Sequence, residues 1–451
     1  MISRKKINPA SQIVLGFLSI ILIGSVLLCL PLSSNDGKWF SFIDSLLTST
    51  SAVCVTGLTV VDTAVHFSLF GQIVILFLIQ IGGLGFITLT SLVFLLLGKK
   101  ITYEKRITIQ ESLNQEKVQG VVKLVKNIII LVFITEIIGF LCLAPSLINI
   151  YGWGDGVFKS LFLSISAFCN AGFDILGTSS TQFAGLSIFA HNALIILPIM
   201  FLIVIGGIGY VVLFDIGKKF KGQKLSFYAK LILIVSLFLI FVSAIIFLIL
   251  EWNNPKTIGN MNVFEKILNS FFQSISPRTA GFTTFDNSSL TQASLVLTNM
   301  LMFIGGNPAS TAGGIKTTTI FVLILAVFKQ TNTNGNISFC KKSINSKTIK
   351  KALRVFVLAL YLTVISTLLL CIFEGESITI TKAMFESVSA LSTVGITLGI
   401  TPTLTIASKI TIIILMFSGR IGVITMTLAF ANKLRSISQD IEYPDSKIMI
   451  G

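Results

Sequence analysis

Apolar stretches long enough to cross a ~30 Å hydrocarbon core alternate with short polar joints along the whole chain. They predict eight spanning helices at about 11–32, 70–98, 127–150, 190–216, 230–250, 290–328, 355–373 and 405–431. Within each successive pair lies a shorter apolar segment: Phe40 to Ala52, Val157 to Phe168, Val263 to Ser276 and Thr379 to Leu391. These are too short to span and too apolar for exposed loops, which suits re-entrant pore helices entering from outside and ending near mid-membrane. The negative dipole ends of four such helices would converge on one axis. Each short segment runs into a brief strand ending in glycine. The order helix, short helix, glycine strand, helix therefore recurs four times, over residues 1–110, 111–225, 226–335 and 336–451. The expected fold class is an all-α polytopic membrane protein of four tandem repeats around a pseudo-fourfold pore. Two spans per unit return the chain to its starting side, so the four units share one orientation, unlike the inverted repeats of many rocking transporters.

Composition agrees with the hydropathy pattern and changes the meaning of the charge. The 451 residues are 53% hydrophobic and 12% charged, with a mean hydropathy of +0.90. The formal net charge of +15 would suggest nucleic acid on a soluble protein. Here most basic residues fall in five segments, from Arg4–Lys6 through Lys99–Lys126, Lys218–Lys230 and Lys329–Arg354 to Lys433–Lys447. An eight-helix count puts all five on one side. The positive-inside rule makes that side, with both termini, cytoplasmic, and no nucleic-acid partner is expected. The basic, then apolar, N-terminus reads as the first span and not as a signal peptide, because its apolar run is too long and lacks a small-x-small cleavage site.

Candidate chemistry sits at the glycine strands. They are Val55-Thr56-Gly57, Asn170-Ala171-Gly172, Thr279-Ala280-Gly281 and Thr393-Val394-Gly395, with the glycines 109 to 115 residues apart. The side chains vary between repeats while the glycine does not. That implicates backbone carbonyls as ligands of a dehydrated cation, in a backbone shape glycine adopts without steric cost. No carboxylate ring recurs at one position, which disfavours a divalent-cation site. Asp62, Asp174 and Asp286 lie just past three strands, as either an outer-mouth cation attractor or ordinary caps. Arg278, three residues before Gly281, is expected to point away from the axis onto pore-helix carbonyls or an acid such as Glu386.

The second helix of each repeat carries a glycine cluster: Gly82-Gly83, Gly206-Gly207, Gly305-Gly306 and, with arginine in the second place, Gly419-Arg420. In the third repeat the break continues through Asn307, Pro308, Ala309, Ser310, Thr311, Ala312, Gly313, Gly314 and Lys316. Such a run is tolerated at membrane depth only against protein or a wet cavity. Arg420 is a costly charge there, and so a functional candidate. The loop and Arg420 together predict a movable barrier beneath the filter. The loop is no phosphate-binding P-loop, since Ile315 separates Gly314 from Lys316 and a spanning helix precedes it. An enzyme is not expected: His66 and His191 are the only histidines and have no metal-like spacing. The six cysteines show no metal or disulfide pattern.

With these four motifs in order, the broken third helix and Arg420, the chain resembles the Ktr/Trk/HKT family of cation transporters, and within it the membrane subunit of bacterial Ktr potassium uptake systems. The chain begins about ten residues before its first helix, whereas the Trk branch usually has additional helices there. The resemblance spans essentially the whole chain and implies K+ uptake with a K+ site at Gly57, Gly172, Gly281 and Gly395. Relatives with serine in place of the first glycine tend to favour Na+, so Gly57 points to K+; Na+ or mixed Na+/K+ transport is the alternative. The same resemblance makes 305–319 and Arg420 an intramembrane gate. It implies a homodimer in membrane lipid with one pore per subunit, seated on a cytosolic nucleotide-binding (KtrA-like) regulatory ring, and no cofactor beyond the transported ion.

Overall fold

The structure, a computed structural model, describes residues 9–85, 106–107, 109–110, 119–329, 335–340 and 342–422. It is mostly helical. Four helices among the described residues are long and apolar enough to cross a membrane: Ser11–Cys29, Val121–Tyr151, Phe227–Glu251 and Ser346–Ser377. Each opens one of the four sequence units. Their composition explains them, since Ile, Leu, Val and Phe dominate each, and several of the few serines and threonines donate back to carbonyls three or four residues earlier, as Ser25 does to Leu22 O at 2.8 Å and Thr363 to Ala359 O at 2.9 Å. The helices expose apolar side chains outward, as lipid-facing helices do.

In chain order the elements are α1 (Pro9–Cys29), α2 (Phe42–Cys54), α3 (Leu69–Leu84), α4 (Val121–Tyr151), α5 (Trp153–Cys169), α6 (Ala193–Ile208), α7 (Tyr210–Phe220) and α8 (Phe227–Glu251). There follow α9 (Val263–Ile275), α10 (Gln292–Phe303), α11 (Thr317–Phe328), β1 (Ile337–Phe339), β2 (Lys342–Ile344), α12 (Ser346–Glu374), α13 (Ile380–Leu391) and α14 (Ile406–Ile421). The short helices α2, α5, α9 and α13 fall where the apolar pattern put them, to within four residues at each end. Side-chain caps set several starts. Asn262 and Glu265 form a reciprocal capping box on α9, and Thr379 accepts from the Lys382 N–H on α13.

Each short helix lies against the long helix before it: α2 on α1, α5 on α4, α9 on α8, α13 on α12. The second helix of each unit then packs on the short helix of the next: α3 on α5, α6 on α9, α10 on α13 and α14 back on α2. The circuit closes. The repeat also shows in polar detail, for α8 ends in Glu251, which accepts from the N–H and hydroxyl of Thr291 at 2.9 and 2.8 Å. Glu374 at the end of α12 accepts from the same two groups of Thr405, both at 2.8 Å. A partly buried ion pair, Lys409 to Asp44 at 2.7 Å, joins α14 to α2 across the closure.

Several expectations need correction. The span expected over 190–216 is two helices, α6 and α7, meeting at 102° at Gly209. The span expected over 290–328 is α10 and α11 separated by a non-helical loop, which ends at Lys316; Thr317, Thr318 and Thr319 begin α11. The polar, glycine-rich sequence cannot hold a helix there. The fold is not purely α, because Ile337–Phe339 and Lys342–Ile344 form a two-stranded antiparallel hairpin. Residues 86–98 and 423–431 of two other expected spans lie outside the described residues.

Candidate ion-conducting site

The four glycine strands meet at the inner ends of α2, α5, α9 and α13, and share one backbone form. The residue two before each glycine has positive φ: Val55 58°, Asn170 61°, Thr279 77° and Thr393 52°. So does each glycine: Gly57 98°, Gly172 69°, Gly281 82° and Gly395 91°. Three non-glycine residues in the left-handed region are β-branched, an uncommon and strained choice. Its recurrence in all four units marks a shape imposed by the surroundings.

Serines on the short helices hold the backs of the strands. Ser51 accepts from the Thr56 N–H through its carbonyl (2.8 Å) and from the Gly57 N–H through its hydroxyl (3.0 Å). Ser389 does the same for Val394 (2.8 Å) and Gly395 (3.1 Å). The Ser166 carbonyl accepts from Ala171 N–H at 2.8 Å and the Ser276 carbonyl from Ala280 N–H at 2.9 Å. Their hydroxyls donate to Phe173 O (2.6 Å) and to Phe282 O. With the amides satisfied on the outer side, the carbonyls of Thr56, Ala171, Ala280 and Val394 turn inward.

Where they point is read from the glycines. A Cβ on Gly57 would stand 2.6 Å from the Ala171 oxygen, one on Gly172 2.9 Å from the Ala280 oxygen, and one on Gly281 2.5 Å from the Val394 oxygen. One on Gly395 would overlap the Thr56 oxygen. Each glycine thus faces the carbonyl of the next strand, in the order one, two, three, four and back to one. A ring of four inward carbonyls with no room for a side chain can replace water around a monovalent cation. The buried hydroxyls of Thr56, Thr279 and Thr393 have no partner in the protein.

Beneath the ring lies the α10–α11 loop. Gly305 approaches Gly313 and Ile315, whose oxygens a Cβ would meet at 2.8 and 3.0 Å. Gly313 and Gly314 lie against Thr393 and Ser392 under the fourth strand. Asn307 Nδ2 donates to Gly207 O at 2.9 Å and to Ser236 Oγ at 3.1 Å, and Thr317 donates to its Oδ1. The N–H groups of Asn307 and Thr311 reach Gly207 O and Gly206 O at 3.2 and 3.3 Å, while Ala309 O accepts from Tyr210 N–H at 2.8 Å. Ser310 caps the turn through Asn307 O at 2.7 Å. Lys316 Nζ donates to Ala312 O at 2.7 Å and Gly313 O at 3.3 Å. Gly306 has no space for a Cβ beside Ala312, and Pro308 faces Gly209 through its oxygen.

Arg420 closes the arrangement. Its guanidinium donates to Thr311 O in the loop and to Gly82 O in α3. Loop and arginine therefore link all four units below the ring, the second through Gly206, Gly207 and Tyr210. With the Asn170 amide turned to satisfy its neighbours, it accepts from Thr311 Oγ1 at 3.3 Å and donates to Ile203 O at 3.3 Å, so the second strand touches the loop too.

The glycine clusters have a second use. Cβ atoms on Gly82, Gly206 and Gly419 would overlap Val53 O, Phe168 O and Leu391 O, each four residues before a strand glycine. They let the second helix seat directly on the last turn of a short helix. The second helices then stop at Gly85, Gly209 and Gly422, all with positive φ, at 79°, 102° and 91°.

Other polar candidates separate from the ring. Arg278 points away, but to Ser236 and not to Glu386. Glu386 accepts from Thr397 at 2.8 Å and from Thr401 within its own unit. Asp62 caps the turn Thr63–His66 and accepts from Phe183 N–H at 2.6 Å; Asp174 accepts from Leu176 N–H at 3.1 Å and Asp286 caps Asn287–Ser289. Asp62 and Asp286 thus serve as helix caps, and Asp174 closes a local turn. The four serines, and Glu136 with Gln80 (3.2 Å) behind the second strand, were not singled out from sequence. An offset of six residues from serine to glycine, shortened to five in the third unit, was the available signal.

The same architecture appears among known proteins. The chain is similar to the Ktr system potassium uptake protein B of Bacillus subtilis, at 41% identity over 446 residues, 99% of this chain and 97% of that one. It is 38% identical to the potassium/sodium uptake protein NtpJ of Enterococcus hirae over 450 residues, 99% of this chain and 98% of that one. The crystal structure of the potassium transporter TrkH from Vibrio parahaemolyticus superposes with a TM-score of 0.71 at 18% identity, covering 95% of this chain and 85% of that one, a likeness of fold. The family described as TrkH, cation transport protein, matches residues 8–439. The chain belongs to the TrkH cation transport protein family.

Proposed function

We infer that this chain takes up potassium across the plasma membrane, through a pore made by four tandem repeats with eight spanning segments. The observation that carries this reading is the closed ring in which each strand glycine faces the carbonyl of the next strand. A K+ ion sheds water as it enters and is held by the oxygens of Val55, Thr56 and Gly57 and of their counterparts Asn170, Ala171, Gly172, Thr279, Ala280, Gly281, Thr393, Val394 and Gly395. Serine hydroxyls and carbonyls behind the strands keep those oxygens aimed, so the ring does not collapse when empty. Potassium uptake is also what the 41% identical Bacillus protein is named for.

Below the ring, residues 305–316 act as the gate and Arg420 as its latch. The loop fills the path, and two cations, Lys316 and Arg420, repel a third. Movement of the loop away from Thr393 and Ser392 opens the route. The reading extends to a homodimer with one pore per subunit, cytoplasmic termini, and a cytosolic nucleotide-binding regulatory ring docked on the basic cytoplasmic segments; a Ktr "system" in the names of relatives supports such a partner. Sodium or mixed transport on the same scaffold is the second reading, favoured by the 38% identity to a potassium/sodium uptake protein.

Expression with a cognate regulator, in a bacterium stripped of its own K+ uptake systems, tests this. Growth at low external K+ is the expected result. Absence of rescue by protein shown to reach the membrane would overturn it.

A further inference from the structure

Glu386 is a fully buried acid that neither the ring nor the gate uses. It lies in α13, three residues before Ser389, the serine that holds the fourth strand. Its two oxygens meet Thr397 Oγ1 at 2.8 Å and Thr401 Oγ1, and the two hydroxyls meet each other at 3.1 Å. The three contacts close a cycle, and its hydrogens can be counted. A carboxylate brings none and each threonine one, so an ionised Glu386 leaves one contact without a hydrogen. A neutral acid supplies the third: it donates to Thr401, Thr401 to Thr397, and Thr397 back to the second carboxyl oxygen. Thr397 keeps a lone pair for the Gly399 N–H at 3.1 Å.

No cation stands by to favour the charged form. Glu386 is in none of the ion pairs among the described residues, and neither is Lys382, one turn back on α13. Of the helices packed on α13, α10 carries no charge. At its outer end α12 has Glu374, held by Thr405, and at the other Lys347, Lys350, Lys351 and Arg354. On α14 stand Lys409, paired with Asp44, and Arg420, bonded to Thr311 O and Gly82 O. A buried charge without a partner is costly, which favours the neutral acid. The third unit makes the same brace with a residue that cannot ionise. Gln273, three residues before Ser276, is buried and donates to Asn287 at 3.0 Å. Asn287 and Thr401 each lie six residues past their strand glycine.

We propose that Glu386 is a positioning residue for the fourth strand, held as a neutral acid. Its cycle with Thr397 and Thr401 braces the chain just beyond Gly395. Loss of the proton breaks one link, loosens the ring and lowers its preference for K+. Thr397 lies two residues past Gly395, so a shift there reaches the strand. Alone of the three, Thr397 is partly exposed, which gives the proton a way in and out. The selectivity clause rests on the filter reading above; the protonation does not.

Infrared spectra of the full chain in liposomes, at about pH 6 and about pH 10, read the proton directly. At the lower pH the wild type should show the carbonyl band of a neutral carboxylic acid that Glu386→Gln lacks, and the band should fade at the higher. Its absence at the lower pH overturns the neutral acid, whatever the ion fluxes; its persistence at the higher overturns the switch. Paired K+ and Na+ fluxes then test the brace. The K+/Na+ ratio of the wild type should fall severalfold as the pH rises. Glu386→Gln, whose amide supplies the third hydrogen at every pH, should hold its ratio. A constant ratio in the wild type, or the same fall in Glu386→Gln, overturns the brace. Thr401→Val opens the cycle and keeps the carboxyl, so it should lower the ratio severalfold already at the lower pH; a ratio equal to wild type would overturn the role of the cycle. Equal K+ and Na+ flux in the wild type at the lower pH overturns the filter reading and the selectivity clause with it, while the infrared band still decides the protonation.

Discussion

Replacing Ser389 by alanine probes the ring from behind without placing anything in the pore. Ser389 is fully buried in α13, and its hydroxyl accepts from Gly395 N–H at 3.1 Å. Its carbonyl, which alanine keeps, accepts from Val394 N–H at 2.8 Å. The substitution thus leaves one buried amide without a partner, at a cost of about 1–3 kcal/mol. The strand can recover part of that by turning the peptide between Val394 and Gly395, which also turns the Val394 carbonyl away from Gly281. A population change worth about 1.4 kcal/mol is tenfold, so the preference for K+ over Na+ should fall about tenfold. Paired K+ and Na+ fluxes in proteoliposomes measure it, with thermal unfolding as a check on the fold. Ser387 supplies the control, because its buried hydroxyl has no partner and Ser387→Ala leaves the strand untouched. Unchanged selectivity in folded Ser389→Ala, or an equal change in Ser387→Ala, would refute the argument.

Other expectations follow from the same geometry. Gly57→Ser puts a side chain against the Ala171 oxygen at a φ of 98°, costing about 1–2 kcal/mol in backbone strain; selectivity for K+ should fall, and an unaltered K+/Na+ flux ratio would contradict this. Arg420→Met removes the charge-assisted bond to Thr311 O, worth about 1.5–3 kcal/mol, so K+ flux without regulator should rise about tenfold; equal or lower flux in folded protein counts against the latch. Lys409→Met strips Asp44 of its partner at 2.7 Å and should destabilise the protein by about 2 kcal/mol, most of it recovered by adding Asp44→Asn; a purely additive double variant would contradict the pairing.

The strand glycines were legible in the chain because their role excludes every other residue. Positive φ and a neighbour's carbonyl within 3 Å of an imagined Cβ leave only glycine, so identity and spacing survive while Thr56, Ala171, Ala280 and Val394 vary. Arg420 and the Asn307–Lys316 run were legible for a similar reason, since charge and broken helix are conspicuous in an apolar chain. The serines behind the strands were not. Ser51, Ser166, Ser276 and Ser389 sit among other serines and threonines on the same helices, and only the fold distinguishes the one that meets a strand amide. The partner of Arg278 was misread because a charge suggests a countercharge, whereas Glu386 is occupied by two threonines of its own unit. The bend at Gly209 was hidden as well. Hydropathy reads straight through it, and only the fold shows Gly209 at a φ of 102° with Pro308 O against it and the Tyr210 N–H turned to Ala309 O.

The central claim, a K+-selective path through the carbonyl ring, is tested most directly by the ion selectivity of the purified chain in liposomes. With K+ and Na+ gradients imposed in turn, and the cognate regulator present or absent, the wild type should pass K+ well ahead of Na+, and Gly57→Ser should narrow the gap. Equal K+ and Na+ flux in the wild type, unaffected by Gly57→Ser, would contradict the account.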